Sequence, residues 1–195
     1  MNTLTKSLLA VATIVSTFLV THTAVAGEGG LLLDDFSAPE TTSINTPRIV
    51  VDDSSVGGKS QLAMSVKAGV LSADGKIVPA RGQPGWVSLA LPATADGSGR
   101  DLSQFEGIRI RIRIRKGMVS VSANSTMVDN FDYHSAVIPR PSGDYNVVDI
   151  PFSSMKRAWS PQTSLDAATI ASVSIVAFGV QPSEVAYDID EIGFY

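Results

Sequence analysis

The sequence predicts an all-β domain, a two-layer β-sandwich of about ten short strands with one or two short helical turns. Three observations favour this fold class. Apolar residues recur with a period of two in many short runs, and clusters of Gly, Pro, Asn, Asp and Ser separate these runs. Segments with the 3.6-residue period of a helix are scarce. Many short strands joined by turns are typical of a sandwich or a barrel.

The first 26 residues have the features of a secretory signal peptide. Lys6 supplies a positive charge, residues 7–20 form an apolar run of 14 residues, and Ala24, Val25 and Ala26 give a small-x-small cleavage pattern. The run is shorter than the roughly 20 residues that a membrane span needs. We therefore expect cleavage after Ala26, a periplasmic or secreted protein, and one β-sandwich domain over residues 27–195. The alternative is that the segment stays as an anchor.

The remaining composition excludes several classes of protein. The leader holds one lysine and no acid, so its removal takes the net charge from −4 to −5, which gives no attraction to nucleic acid or to anionic membranes. The absence of cysteine excludes disulfides, a thiolate nucleophile and a lipid-carrying cysteine. No stretch after the leader is apolar enough to span a bilayer.

The candidate strands follow one another along the whole mature chain, separated by turn residues. They are Gly30–Phe36, Arg48–Asp52, Gln61–Val66, Trp86–Leu91, Ile108–Arg115, Val119–Asn124, Tyr133–Ile138, Asn146–Pro151, Ser172–Phe178 and Tyr187–Phe194. Residues 164–170 are a candidate helical turn with Ser164 as its N-cap, and residues 101–105 are another.

The clearest local signal is the alternation of four Ile with four Arg over residues 108–115. In a strand this pattern places the isoleucines on one face and the arginines on the other. Lys116 and Gly117 fit a two-residue turn, so we expect a hairpin with the strand that follows. Its register pairs Ile114 with Val119 and Arg113 with Ser120, and both strands then agree on which face is core.

The arginine-bearing face has three interpretations, which the sequence leaves open. The first is a solvated outer face whose charges are balanced by acids on neighbouring strands, such as Asp132 or Asp149. The second is a concave face that binds a carbohydrate or an anionic ligand through Arg109, Arg111 and Arg113, because arginine presents forked hydrogen-bond donors. The third is a surface for another protein, such as a protein of the cell envelope.

Aromatic side chains near strand ends and loops are candidates for stacking on sugar rings. They are Trp86, Phe131, Tyr133, Tyr145 and Trp159. Trp86 opens an alternating strand, so we expect it in the core, whereas Trp159 is expected to be exposed. Tyr133 and His134 are expected beside the arginines, and with Trp159 they complete the candidate carbohydrate site.

Carboxylates at the two ends of the domain are candidate ligands for a structural calcium ion. Asp35 lies on the opening strand, and Asp188 and Asp190 alternate along the closing one. The termini of such sandwiches are often neighbours, and Ca²⁺ takes six to eight oxygen ligands. The alternative is that these acids face water or pair with arginines. No other cofactor is predicted.

Catalysis is not predicted, and no catalytic residue is assigned. His134 is the one histidine after the leader, and a strand sends it and Ser135 to opposite faces, which excludes a catalytic triad there. Neither a nucleophile elbow nor a nucleotide-binding loop is present in the sequence. Hydrolysis by a pair of carboxylates stays open because many acids remain.

Six segments, in order, resemble motifs of the complex I intermediate-associated protein 30 family. They are residues 31–36 (LLLDDF), 51–60 (VDDSSVGGKS), 85–89 (GWVSL), 101–111 (DLSQFEGIRIR), 149–152 (DIPF) and 187–192 (YDIDEI). The loop at residues 54–56 departs from the family pattern. The resemblance covers nearly the whole mature chain, from Leu31 to Tyr195.

The resemblance implies a jelly-roll sandwich of the galactose-binding type, similar also to family 11 carbohydrate-binding modules. Mitochondrial members of the family act as assembly chaperones for respiratory complex I, a role that a bacterial export signal does not fit. Fold transfers more safely than function. We therefore expect an exported, non-catalytic binding module for a carbohydrate or another polar ligand, with a protein-docking assembly factor as the alternative.

Overall fold

A computed structural model describes residues 29–139 and 143–195 of the chain. The predicted signal peptide lies outside the described residues. Within the described part, no helix is long and apolar enough to cross a membrane.

The protein is an antiparallel sandwich of two six-stranded sheets, and no α-helix occurs in the two described ranges. The first sheet has the order β3-β4-β12-β6-β9, with β1 also paired to β12, and the second has the order β10-β8-β7-β11-β5-β2. The strands are β1 Leu31–Asp34, β2 Ile49–Asp52, β3 Gln61–Lys67, β4 Val70–Ile77, β5 Gly85–Pro92, β6 Gly107–Lys116, β7 Met118–Ser125, β8 His134–Val137, β9 Asn146–Pro151, β10 Lys156–Arg157, β11 Ile170–Gly179 and β12 Ser183–Phe194.

Short 3-10 turns are the only helical elements of the described chain. They cover Asp53–Val56, Phe152–Ser154 and Ala167–Thr169. The last lies inside the predicted helical segment, but Asp166 caps it, since its side chain accepts a hydrogen bond from the Ala168 amide. The expected N-cap, Ser164, lies before the turn.

The core lies between the two sheets, where alternate residues of each strand point inward. The predicted face of β6 is confirmed: Ile108, Ile110, Ile112 and Ile114 are buried in one hydrophobic cluster. Val119 and Val121 of β7 join that cluster from the second sheet. The period-two pattern therefore identified the inward face of both strands correctly.

The predicted hairpin between β6 and β7 is wrong, because the two strands lie in different sheets. β6 pairs with β12 and β9, whereas β7 pairs with β11 and β8. At Gly117, φ is 79° and an added Cβ would lie 2.9 Å from the Glu184 carbonyl oxygen, so this position favours glycine. Matching apolar faces are expected for the two strands of a hairpin. They are expected equally for two strands that face each other across a core, which is the arrangement here.

Candidate functional site

The arginine face, defined by Arg109, Arg111, Arg113 and Arg115 on the outer side of β6, is a ladder of ion pairs. Arg109 binds Asp149 of β9 at 2.5 Å, and Arg113 binds Asp188 of β12 at 2.7 Å. Arg111 binds Asp190, and Arg115 binds both Asp188 and Asp74 at 3.0 Å. Every guanidinium of the ladder is thus held by a carboxylate from a neighbouring strand.

Two tyrosines cover the ladder. Arg111 and Arg113 lie 5.3 and 4.9 Å from the centre of the Tyr145 ring, and Arg109 lies 4.8 Å from that of Tyr195. A hydrogen bond from Arg109 lowers the pKa of Asp149, with a smaller opposing effect of burial. The Asp149 carboxylate is therefore ionised near neutral pH and balances the positive charge of Arg109. This arrangement agrees with the solvated, ion-paired face among the three interpretations.

The candidate calcium ligands do not converge. Asp188 and Asp190 are engaged by the arginine ladder, while the Asp35 carboxylate accepts hydrogen bonds from the Ser37 amide and the Ser43 hydroxyl. Within residues 29–139 and 143–195, no group of three or more His, Asp or Glu side chains is placed to hold a metal ion.

His134 belongs to β8 of the second sheet, Tyr133 comes just before β8, and Trp159 follows β10 of the same sheet. The structure therefore does not bring these three residues together with the arginine face. His134 opens β8 and is buried, and its Nε2 atom lies 2.9 Å from the Thr163 carbonyl oxygen. Tyr133 and Trp159 make an edge-to-face contact with ring centres 5.3 Å apart. The six predicted binding residues therefore form two separate groups.

Asp132 organises the second of these groups. Its buried carboxylate accepts hydrogen bonds from Arg157 Nε at 2.8 Å, from the Tyr133 amide at 2.8 Å, and from the Ala158 and Ser160 amides at 3.0 Å. Burial alone would raise the pKa of Asp132, but the hydrogen bonds from Arg157, Tyr133 and Ser160 outweigh it and hold this pKa well below its usual range. The carboxylate thus fixes the loop that carries Trp159.

The depressed pKa of Asp132 predicts an acid-sensitive contribution to stability. A carboxylate with a lowered native pKa stabilises the fold above its unfolded pKa of about 3.9, and that stability is lost as pH falls further. We expect Asp132→Asn to lower the free energy of unfolding at neutral pH by about 2–3 kcal/mol, since the charge-assisted bonds are weakened. Below about pH 4, we also expect the free energy of unfolding to decrease less steeply with falling pH in Asp132→Asn than in the wild type. Urea unfolding at several pH values measures both, and parallel decreases in the two proteins would contradict this role.

The outer face of the second sheet carries small hydroxyl side chains instead of charges. We call it the serine face and define it by Ser120, Ser122 and Asn124 of β7 and Ser172 and Ser174 of β11. Cross-strand pairs place these residues in rows, because Ser174 lies opposite Ser122 and Ser172 lies opposite Asn124. Asn124 Nδ2 donates to both Ser172 Oγ and Ser174 Oγ at 2.8 Å.

The centre of the serine face is buried while its edges are exposed, which is the pattern of a concave surface. Ser122 is 1% exposed, and Ser120, Ser174 and Val176 are each 5% exposed. At the edges of the sheet, Ile49 and Val51 of β2 and Val137 of β8 are exposed. The Oγ atom of Ser122 is buried without a hydrogen-bond partner among the described residues. Such an orphan hydroxyl is costly unless a bound molecule or water satisfies it.

Trp86 lies at one end of the serine face, so the expectation of a core position is wrong. It stands opposite Phe178 on the outer side of the sheet, next to the inward-facing Val87. The buried positions of β5 are Val87, Leu89 and Leu91, so the tryptophan belongs to the alternate, outer set of positions. Together Trp86 and Phe178 give this end of the face two aromatic side chains.

The segment 53–60 positions Trp86. The buried Asp53 carboxylate accepts bonds from the Trp86 amide at 3.1 Å, the Ser60 amide at 2.9 Å and the Ser60 hydroxyl at 2.7 Å. A Cβ at Gly58 would lie 2.1 Å from Asp53 Cγ, so glycine is needed there. The segment at residues 51–60, which resembles a motif of the family named above, therefore has a structural role in the loop beside the serine face.

The serine face was not predicted as a site, although its residues carry a readable signal. Ser120, Ser122 and Asn124 alternate with apolar residues in β7, and Ser172 and Ser174 do the same in β11. We expected the β7 residues beside the arginines, which the separation of β6 and β7 excludes. Chemically, the face offers neutral donors and acceptors, and Lys156 at its edge is the only charged side chain that the described strands place on it.

Comparisons with known proteins agree with this architecture. The family model described as Complex I intermediate-associated protein 30 matches residues 35–189. No curated protein matches the chain in sequence.

Similar solved structures include two of a family 11 carbohydrate-binding module from Clostridium thermocellum. The module of the cellulosomal cellulase Lic26A-Cel5E is 17% identical with a TM-score of 0.59, and the comparison covers 85% of this chain and 94% of that one. The module in complex with a β-1,3-1,4-mixed-linked tetrasaccharide is 18% identical with a TM-score of 0.57 and the same two coverages. An agarase, AgWH50C, is 10% identical with a TM-score of 0.55, and the comparison covers 85% of this chain but 24% of that one. At these identities the likeness concerns the fold, which is that of carbohydrate-binding modules.

Proposed function

We propose that this chain, which belongs to the complex I intermediate-associated protein 30 family, is an exported, non-catalytic module that binds a neutral polysaccharide on its serine face. The fold that it shares with carbohydrate-binding modules supports this proposal. The observation that carries the proposal is the set of small polar side chains that β7 and β11 place on this face, with Trp86 and Phe178 at one end.

The hydrogen-bond pattern of the floor suits a ligand rich in hydroxyl groups. Because Asn124 donates to Ser172 Oγ and Ser174 Oγ, each serine keeps its own O–H proton for donation to another group. Trp86 and Phe178 add apolar ring surface at one end, and aromatic rings pack on the apolar faces of sugars. Small-molecule sites combine apolar and aromatic side chains with a few polar groups that orient the ligand, and this face offers both kinds.

Charge separates this proposal from binding of an anionic ligand by the arginines. An anion on the arginine face would compete with carboxylates that already hold the guanidiniums, such as Asp149 at 2.5 Å from Arg109. The described strands place a single charged residue, Lys156, at the edge of the serine face. A neutral glycan on the serine face does not have to displace these carboxylates, and it needs no cluster of cations to bind.

We expect Ser172→Ala to weaken polysaccharide binding several-fold with little loss of stability, because Ser172 is half-buried on this face and its hydroxyl proton is free to bind a ligand. Trp86→Ala should weaken it at least about tenfold, since truncation of an aromatic anchor commonly costs about 2 kcal/mol. Calorimetric titration with a soluble β-1,3-1,4-glucan and agarose oligosaccharides, with alginate as the anionic comparison, measures the affinities.

Arg111→Ala serves as the matched variant on the opposite face and should bind as the wild type does. Loss of binding in Arg111→Ala with normal binding in Ser172→Ala would instead place the ligand on the arginine face. A preference for alginate over the neutral glycans would contradict the charge argument.

Docking on an envelope protein is a second candidate, favoured by Phe131. This side chain is 93% exposed, and its backbone has a φ of 61°, which a non-glycine residue rarely adopts. Its neighbour Asp132 is held by four hydrogen bonds, so the loop presents Phe131 from a fixed base. Exposed, strained residues often mark functional contacts. Failure of every polysaccharide in the titration would favour this docking role.

A further inference from the structure

Two aromatic pairs belong to the second sheet, and the proposed function uses only one of them. Trp86 and Phe178 lie where β5 begins and β11 ends. Tyr133 and Trp159 lie just before β8 and just after β10, with their ring centres 5.3 Å apart. The position of this second pair relative to the serine face follows from the strand register.

The register places Tyr133 on the same side of the sheet as the serine face. Ser135 lies opposite Ser122 on the outer side, whereas the neighbouring His134 is buried on the inner side. Because side chains alternate along an extended segment, Tyr133 faces the outer side as Ser135 does. Continuing this antiparallel register by two residues puts Tyr133 level with Asn124. The two aromatic pairs therefore lie at opposite ends of the serine face.

The distance between the two pairs matches the length of a short oligosaccharide. Phe178 lies opposite Met118, and six residues of β7 separate Met118 from Asn124, or about 20 Å along the strand. Three strand spacings separate β5, which carries Trp86, from β8, or about 14 Å. The diagonal between the pairs is therefore about 20–25 Å. An extended β-linked glycan advances by about 5 Å per sugar, close to the strand spacing, so about five sugars cover this distance.

Trp159 is held in place although its side chain is 61% exposed. The amides of the residues on either side of it, Ala158 and Ser160, both donate to the Asp132 carboxylate at 3.0 Å. Asn130 Nδ2 donates to Ser160 Oγ at 2.8 Å, which ties the loop before β8 to the loop after β10. An aromatic ring that a fixed loop presents to solvent loses little conformational entropy when a ligand binds.

We infer that Tyr133 and Trp159 form a second sugar-stacking subsite, which makes binding depend on the length of the glycan. The subsite rests on the proposed function, which places the ligand on the serine face. A chain of about five sugars reaches both aromatic pairs, with the hydroxyl groups of the serine face between them. A chain of two or three sugars reaches one pair at a time. The affinity should therefore rise steeply once the glycan is long enough to contact both pairs.

Calorimetric titration with oligosaccharides of two, three and six sugars, prepared from mixed-linked β-glucan and from agarose, tests the inference. We expect the wild type to bind a six-sugar chain at least about tenfold more tightly than the shorter ones, since one aromatic anchor commonly contributes that much. Trp159→Ala should remove most of this ratio, and Trp159→Phe, which keeps a ring, should restore part of it. Tyr145→Ala, the matched aromatic substitution on the arginine face, should leave the ratio unchanged. Thermal unfolding checks that each variant folds.

A wild type that binds short and long oligosaccharides equally would overturn the inference and leave the proposed function standing. So would a ratio that folded Trp159→Ala retains, or one that Tyr145→Ala lowers to the same extent. Absence of binding to every oligosaccharide and polysaccharide would contradict the proposed function itself, and the second subsite with it.

Discussion

Replacement of Ile112 by aspartate is expected to unfold the domain. Ile112 is fully buried on the inward face of β6, in the middle of the core cluster. A carboxylate there has no cation to pair with on that face, and a buried, unpaired charge costs several kcal/mol. Native domains are stable by about 5–15 kcal/mol, so a loss of about 5 kcal/mol or more removes most of that margin. Circular dichroism and urea unfolding of the purified variant measure the result.

The neighbouring substitution Arg111→Ala is the control, because it removes a larger side chain from the other face of the same strand. Arg111 pairs with Asp190 and stacks on Tyr145, but its side chain is 39% exposed. Exposed ion pairs contribute about 1 kcal/mol or less, so we expect a folded protein with a slightly lower melting temperature. A folded Ile112→Asp, or an Arg111→Ala that unfolds, would reverse the assignment of the two faces.

The second large effect is expected for Asp53→Ala. This substitution leaves the Ser60 amide, the Ser60 hydroxyl and the Trp86 amide without their acceptor in a buried loop. Each stranded donor costs about 1–3 kcal/mol, so we expect the three together to cost about 3 kcal/mol or more. Since the Trp86 amide is one of the donors, a variant that still folds should also bind polysaccharide more weakly.

Asp52→Ala is the matched control one residue earlier. The Asp52 side chain caps the 3-10 turn by accepting a bond from the Ser54 amide, and it lies near the surface. Loss of a cap typically costs about 1 kcal/mol. Urea unfolding of both variants compares the two effects. Equal destabilisation would show that Asp53 acts only as a local cap.

Much of the fold was predictable because burial imposes a period of two on each strand. The inward faces of β6 and β7 were both assigned correctly from that period. The pattern does not say which sheet a strand joins, and that is why the β6–β7 hairpin was wrong. β4 was missed because its inward positions include Ala73 and Gly75, which give little apolar contrast to the polar residues between them.

The candidate site was less predictable, because it depends on which outer faces the topology assembles. The arginines of β6 were placed on the surface correctly, and Asp149 was among the acids suggested as partners. We expected the arginines to bind a ligand together with Tyr133 and His134, which requires β6 and β8 to lie in one sheet. They lie in different sheets. Serine is common in loops and on surfaces, so the rows that β7 and β11 form together become visible only once β11 is known to pair with β7.

The positions of β11 and β12 in the sheets bear on how the protein folds after synthesis. β11, at residues 170–179, bridges β5 and β7, and β12, at residues 183–194, bridges β4 and β6. Both sheets thus lack an interior strand until the last twenty-five or so residues of this sequence are available, and such long-range pairing is slow. Neither sheet of a nascent chain can therefore be completed before residues 170–194 have been made.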